Sequence, residues 1–203
     1  GNINTIYLPK IKSEKHTNIF IAKGANIHKY YIDDELFFGK NTDQVKKLAE
    51  RNYNAGAVIV TQNITGTTDK YRIHAAYAEC KNTNFVFLHS VNIIYLQNPS
   101  SAKYILALLN SKLLDWLFRK TSTNNHCNMY ELVDLPVPNA NGLQQQKIIT
   151  LVDKMLALKK DCRVEHGSDS ELADTSTLEM QIDALVYKLY GLTDEEIKII
   201  EQT

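Results

Sequence analysis

The chain has 203 residues, enough for one large domain or two small ones, and its 44% hydrophobic content lies well above that of disordered chains. Its 23 basic and 23 acidic side chains cancel, which weighs against a uniformly basic nucleic-acid binder. No apolar run approaches the roughly 18 residues that a membrane span requires.

The start, GNINTIYLPKIKSEKH, has no cleavable apolar core, so no signal peptide is expected. Gly rather than Met in first position suggests a piece excised from a longer protein. The charge is uneven along the chain. Residues 1–130 hold 16 Lys+Arg against 9 Asp+Glu, and residues 131–203 hold 7 against 14. A basic body with an acidic C-terminal segment fits a body facing phosphate and a tail facing solvent or protein, with chance clustering of surface charge as the plainer alternative. Cys80, Cys127 and Cys162 are far apart, form no CxxC pair and lie at no zinc-ligand spacing from the six histidines. Reduced thiols in a cytosol, without metal, are the expectation.

In chain order, residues 19–38 read as strands: IFIAKG, KYYID and ELFFG, with Gly24 and Gly39 at turns. Thr42 can cap a helix over TDQVKKLAERN, with Val45, Leu48 and Ala49 on one face. AVIVTQN (57–63) is a β-branched run. YRIHAAYA (71–78) alternates, Tyr71, Ile73, Ala75 and Tyr77 against Arg72, His74 and Ala76. FVFLHS and VNIIYL (85–96) add a strand or a bent pair. At Asn98-Pro99-Ser100-Ser101 the period changes to helical, predicting one helix over about 100–120 with an apolar stripe from Ile105 to Leu117.

The stretch TSTNNHCNMYELVDLPVPN (121–139) then gathers small polar residues ahead of Pro136 and Pro138. Helices follow at about 143–160 and 178–190, expected to pair as a hairpin, with Gly191 as C-cap and Thr193/Glu196 in capping-box register. Between them, VEHGSDSELADTST (164–177) reads as a linker. The expected fold class is α+β: a mostly antiparallel β-rich domain over 1–140, including helix 100–120, and a helical segment over 141–203.

No phosphate-binding glycine loop, GxSxG or Cys–His arrangement is present. Asp69, Glu79 and Lys81 form the skeleton of a Mg²⁺-dependent nuclease site, but the spacing is short enough to arise by chance in a charged chain. Groups suited to reading DNA are better supplied. Asn and Gln pair with adenine, Arg and Lys with guanine, and phosphate contacts need only cations and small donors. Such groups cluster at Gln62, Asn63, Thr65, Arg72 and His74, and again at Thr123, Asn124, Asn125, His126 and Asn128. Arg119 and Lys120 precede the second cluster, and Lys23, His28 and Lys29 make a weaker third. The plainer reading of each is a turn held by its own side chains, or a solvated histidine at His74.

ILALLNSKLLDWLFRKTSTNNHCNMYELVDLPVPN, QQQKIITLVDKMLALKK and IDALVYKLYGLTDEEIKIIE together resemble the TaqI-like C-terminal specificity domain of restriction–modification enzymes and adenine-specific DNA methyltransferases. Upstream, GANIHKYYID resembles that family's G-x-D-I-x-R-Y strand, VIVTQNIT its I-L-V-R-Q strand and FLHSVNIIYL its T-L-x-S-V-Y strand. The resemblance spans about residues 19–201, and type I specificity subunits share the LPxP-then-QQ-helix join. His28 and Lys29 stand near where the family has an arginine, and Thr61 replaces the arginine before Gln62.

The resemblance implies double-stranded DNA as partner and target-sequence choice as function, with no catalysis by this chain. It implies an upstream methyltransferase or methyltransferase–endonuclease region in the same polypeptide, in a bacterial cytoplasm. That region would bind S-adenosylmethionine, and Mg²⁺ where an endonuclease is fused. The rival class is a protein-interaction module that works through the acidic C-terminal helices.

Overall fold

The computed structural model describes residues 8–81, 83–96, 98, 101–166 and 175–202. Its strands are Lys12–Ser13 (β1), Ile19–Ala22 (β2), Ile27–His28 (β3), Tyr31–Ile32 (β4), Phe37–Gly39 (β5), Ala57–Gln62 (β6), Ala75–Glu79 (β7), Asn84–Phe87 (β8) and Val91–Ile94 (β9). Its α-helices are Asp43–Ala55 (α1), Ala102–Leu109 (α2), Lys112–Thr121 (α3), Met129–Val133 (α4), Gly142–His166 (α5), Ser176–Tyr190 (α6) and Asp194–Glu201 (α7). This is the expected α+β class, with mostly antiparallel sheets and a C-terminal helical pair.

The sheets run β1-β5-β2-β8, β3-β4 and β7-β6-β9. β2 and β8 pair in parallel, Ile19 to Ala22 against Asn84 to Phe87, while the other pairs are antiparallel. The single strand or bent pair expected over 85–96 is thus two strands in different sheets: β8 joins β2, and the chain turns through Leu88–Ser90 so that β9 joins β6. β6 lies at the middle of its sheet and is buried on both faces. Ile59 faces the helices, and Val58 and Val60 face a second cluster with Ala22, Ile27 and Val91. An uninterrupted β-branched run is what a strand covered on both sides requires.

The predicted helix over 100–120 is two helices. The Asn110 side chain donates to the Ala75 carbonyl at 2.9 Å and accepts from the Ala75 amide at 3.0 Å, acting as a strand partner on the outer edge of β7. Ser111 then caps α3, accepting from the Leu114 amide at 3.3 Å. β7 itself starts at Ala75 rather than Tyr71, because the Arg72 and Ile73 amides turn to Asp115 Oδ1 at 2.6 and 2.9 Å.

The acidic C-terminal segment turns several of its carboxylates onto the body. Lys29 pairs with Glu179 at 2.8 Å, Lys103 with Asp153 and Lys112 with Glu201. The largest hydrophobic cluster takes residues from both sides of position 140, from Tyr30 and Leu106 to Val152, Val186 and Ile200. The Gly191 cap (φ 68°) and the Thr193–Glu196 capping box are present as expected. Of the expected linker, residues 167–174 lie outside the described residues, and its flanks end α5 and open α6.

Asp183 on α6 accepts from the Lys112 amide at 3.0 Å, so it caps the first turn of α3 from another helix. Burial pushes its carboxyl up from 3.8 to about 6, against the lowering pull of that amide and of Lys29. A folded-state value above the unfolded one means that this contribution is full at low pH and is lost as pH rises through about 6. Asp183→Asn cannot ionise. It should gain stability over the parent between about pH 4 and about pH 6, by roughly 2–3 kcal/mol in full, and level off above that. Urea unfolding across the range checks this; parallel pH profiles would contradict it. Asn110→Ala should lose about 1–3 kcal/mol, because it strands the buried amide of Ala75, whose carbonyl keeps the Tyr30 amide at 2.8 Å. Denaturation midpoints at constant slope measure that loss.

Candidate nucleic-acid interface

The two polar clusters singled out in the sequence, one after β6 and one after α3, meet in space. Ile64 and His126 form an antiparallel bridge. Around it the Cys127 amide donates to the Asn63 carbonyl at 2.7 Å, and the Thr65 amide donates to the Asn125 carbonyl at 3.0 Å. The 121–128 loop is therefore laid as an extra strand segment against the end of β6.

Arg72 locks this ladder from beneath. It is only 2% exposed, because Nε donates to Thr65 Oγ1 at 3.1 Å and one terminal nitrogen donates to the carbonyls of Asn124 (2.7 Å) and His126 (3.4 Å). Its guanidinium also lies 5.3 Å from the Phe118 ring centroid. A planar fork of donors suits three acceptors spread over two loops; a lysine in its place would offer one point charge. Asn92 secures the other side. Its amide donates to Thr61 Oγ1 (3.1 Å) and the Cys127 carbonyl (2.7 Å), while its Oδ1 accepts from Asn63 (3.0 Å). Asn63 Oδ1 in turn faces His126 Nδ1 at 2.9 Å. Thr61, the departure from the family's arginine, is buried as a member of this network.

The clusters thus divide into scaffold and rim. Thr65 and Arg72 are buried and build the loop. Gln62 donates to the Ile27 carbonyl at 2.6 Å, and Asn128 caps α4 together with Glu131. Partial burial pushes the Glu131 carboxyl up, and the Asn128 and Ser122 hydrogen bonds with the Arg72 charge outweigh it, holding it below its usual range. His74 is half-buried and faces the Tyr71 carbonyl at 3.1 Å; burial holds its imidazole below its ordinary value.

Thr123, Asn124, Asn125 and His126 are exposed, as are Thr67, Thr68, Lys70 and Lys120. Asn124 keeps its Oδ1 on the His126 amide at 2.7 Å. Arg119 is tied to Asp115 and to the Asp69 carbonyl, both at 2.7 Å, and Lys120 lies over the Trp116 ring.

The third group is engaged by partners of its own, although Lys29 shares the Tyr71 ring with Lys70 of the rim. Lys29 packs over the Tyr71 ring at 3.8 Å and bonds Glu179, His28 is held by Asp33 and stacks on Tyr31, and Lys23 lies over Phe37. Asn92, which holds the loop, and Asp115 and Asn110, which hold the segment leading into β7, are absent from the residues that the sequence picks out. Their signal is a polar side chain set in an apolar strand or helix face.

The nuclease skeleton is not assembled. Asp69 closes its own turn onto the Gly66 amide at 2.7 Å, Glu79 ends β7 and Lys81 follows it, a strand's length away from Asp69. Among the described residues no group of three His, Cys, Asp or Glu could hold a metal ion. No described helix is long and apolar enough to cross a membrane. Cys80 and Cys127 are free and buried, and burial raises both thiols, to about 11 and about 12.

Replacing the fork should loosen the loop before it unfolds the chain. Arg72→Lys is expected to lose about 1.5–3 kcal/mol of stability, the range for hydrogen bonds to a charged group. In hydrogen exchange, the amides of 65 and 125–127 should open sooner while those of β6 keep their order. Uniform faster exchange would contradict a local role.

No curated protein matches the chain. The family model described as the TaqI-like C-terminal specificity domain matches residues 20–137, which takes in the sheets except β1 and the first residue of β2, the Arg72 lock and the whole 121–128 loop, and stops before α5. More than half of the chain lies within that match: it belongs to the TaqI-like C-terminal specificity domain family, a DNA target-recognition domain of restriction–modification systems.

Proposed function

We propose that this chain selects the double-stranded DNA sequence on which an adenine-specific DNA methyltransferase acts, alone or fused to an endonuclease, as in type II systems, and that it does no chemistry itself. In this reading a catalytic region upstream in the same polypeptide binds S-adenosylmethionine, and Mg²⁺ where cleavage is added. The assembly works in a bacterial cytoplasm.

The observation that carries the reading is the rim of Thr123, Asn124, Asn125 and His126, exposed yet fixed by a buried arginine and a backbone ladder. Base readout needs donors and acceptors that protrude but do not wander, since every rotor frozen on binding weakens the complex. Nearby Lys70 and Lys120 supply charge for phosphate without a paired carboxylate among the described ion pairs.

A second reading has one observation in its favour. Tyr130, Val133, Val137 and Leu143 are all more than half exposed within a short stretch, which suits a protein contact.

The two readings separate in a selection from a randomised duplex pool at low salt. Target recognition gives an enriched motif whose affinity falls steeply with salt; an interaction module gives no retention at any salt. Against the enriched motif, Asn125→Ala should narrow the gap between motif and random duplex by about 1–3 kcal/mol. Lys120→Ala should weaken all sequences alike and reduce the salt slope by about one. If Lys120→Ala leaves slope and affinity unchanged, that lysine meets no phosphate.

A further inference from the structure

We propose that Ile64 reads the C5-methyl group of a thymine in the major groove and so fixes one position of the target sequence; this rests on the DNA-recognition reading above. Ile64 is 53% exposed and lies at the centre of the ladder, bridged to His126. Cross-strand partners project on the same side, so the isoleucine stands beside His126 on the polar rim.

A single exposed hydrophobe is ordinary on a protein surface. This one differs in how firmly it is presented. Asn63 donates its amide to the Ser90 carbonyl at 2.9 Å and accepts from Cys127, and Thr65 is bonded to Asn125 and to Arg72. The backbone is therefore held on both sides of Ile64, and its own β-branched side chain is stiff at χ1. Asn124, Asn125 and His126 on the facing segment and Thr67 beyond it are exposed polar residues, a setting suited to a base edge. An isoleucine offers nothing to a phosphate and no hydrogen bond to a base edge. In the major groove the apolar group it can meet is the thymine methyl, which also separates thymine from cytosine.

The test is a deoxyuridine scan of the selected motif. Each thymine is replaced in turn by deoxyuridine, which removes the methyl group and leaves every hydrogen-bonding group in place. The wild-type chain should lose about fourfold in affinity at one position, the worth of one buried methyl group. Ile64→Ala should show that loss on the unmodified duplex and then be indifferent to deoxyuridine at the same position, with an unchanged thermal midpoint. The wild-type scan decides even if the variant folds poorly. A motif without thymine, a scan flat at every thymine, or an Ile64→Ala chain as sensitive as wild type would each overturn the assignment while leaving target recognition standing. Absence of any enriched motif would instead remove the reading on which it rests.

Discussion

Arg72 carries a full charge with almost none of its surface in contact with water, and the rest of the candidate interface depends on how that charge is housed. A buried guanidinium costs several kcal/mol unless its donors are met. Here they are met by one hydroxyl and two loop carbonyls, while its backbone amide is taken by Asp115 from the neighbouring helix. The arrangement works in both directions. The loop satisfies the arginine, and the arginine fixes a loop whose own residues, Thr121 to His126, include no hydrophobe to anchor it.

The helical layer makes this possible. Asn110 and Asp115 lie five residues apart across the α2–α3 break and between them take the amides of residues 72, 73 and 75, the segment that leads into β7. Asp183 closes the unit from the C-terminal side by capping α3. The basic and acidic halves of the chain are therefore partners within one fold, and the lysines paired to α5–α7 are removed from the charge available elsewhere. What remains exposed near the loop is Lys70 and Lys120.

Much of the fold was legible because it is written in local pattern. The β-branched run at 57–62, the Thr42 and Thr193 caps and the Gly191 stop each follow from short-range chemistry, and each is found in place. The break at Asn110 was not legible. Both helices keep the same apolar period, and the interruption comes from a β-strand more than thirty residues earlier that uses the asparagine side chain as its neighbour. The candidate site shows the same division. Its polar residues could be picked out as types, but scaffold and rim could not be told apart, since Arg72 and Lys120 look equally available in sequence and only one of them is exposed. Ile64 belongs to no apolar period, so the sequence alone assigns it no face.

The central claim is that the rim formed by residues 64–70 and 120–126 is where DNA meets this chain. The most direct measurement is amide chemical-shift mapping on titration with a short duplex carrying the selected motif. The account expects the shifts to concentrate at those two stretches, with Thr123 to His126 moving most and α6 and α7 silent. Shifts concentrated on α6 and α7, or on the exposed apolar residues from Tyr130 to Leu143 with the rim unmoved, would contradict it.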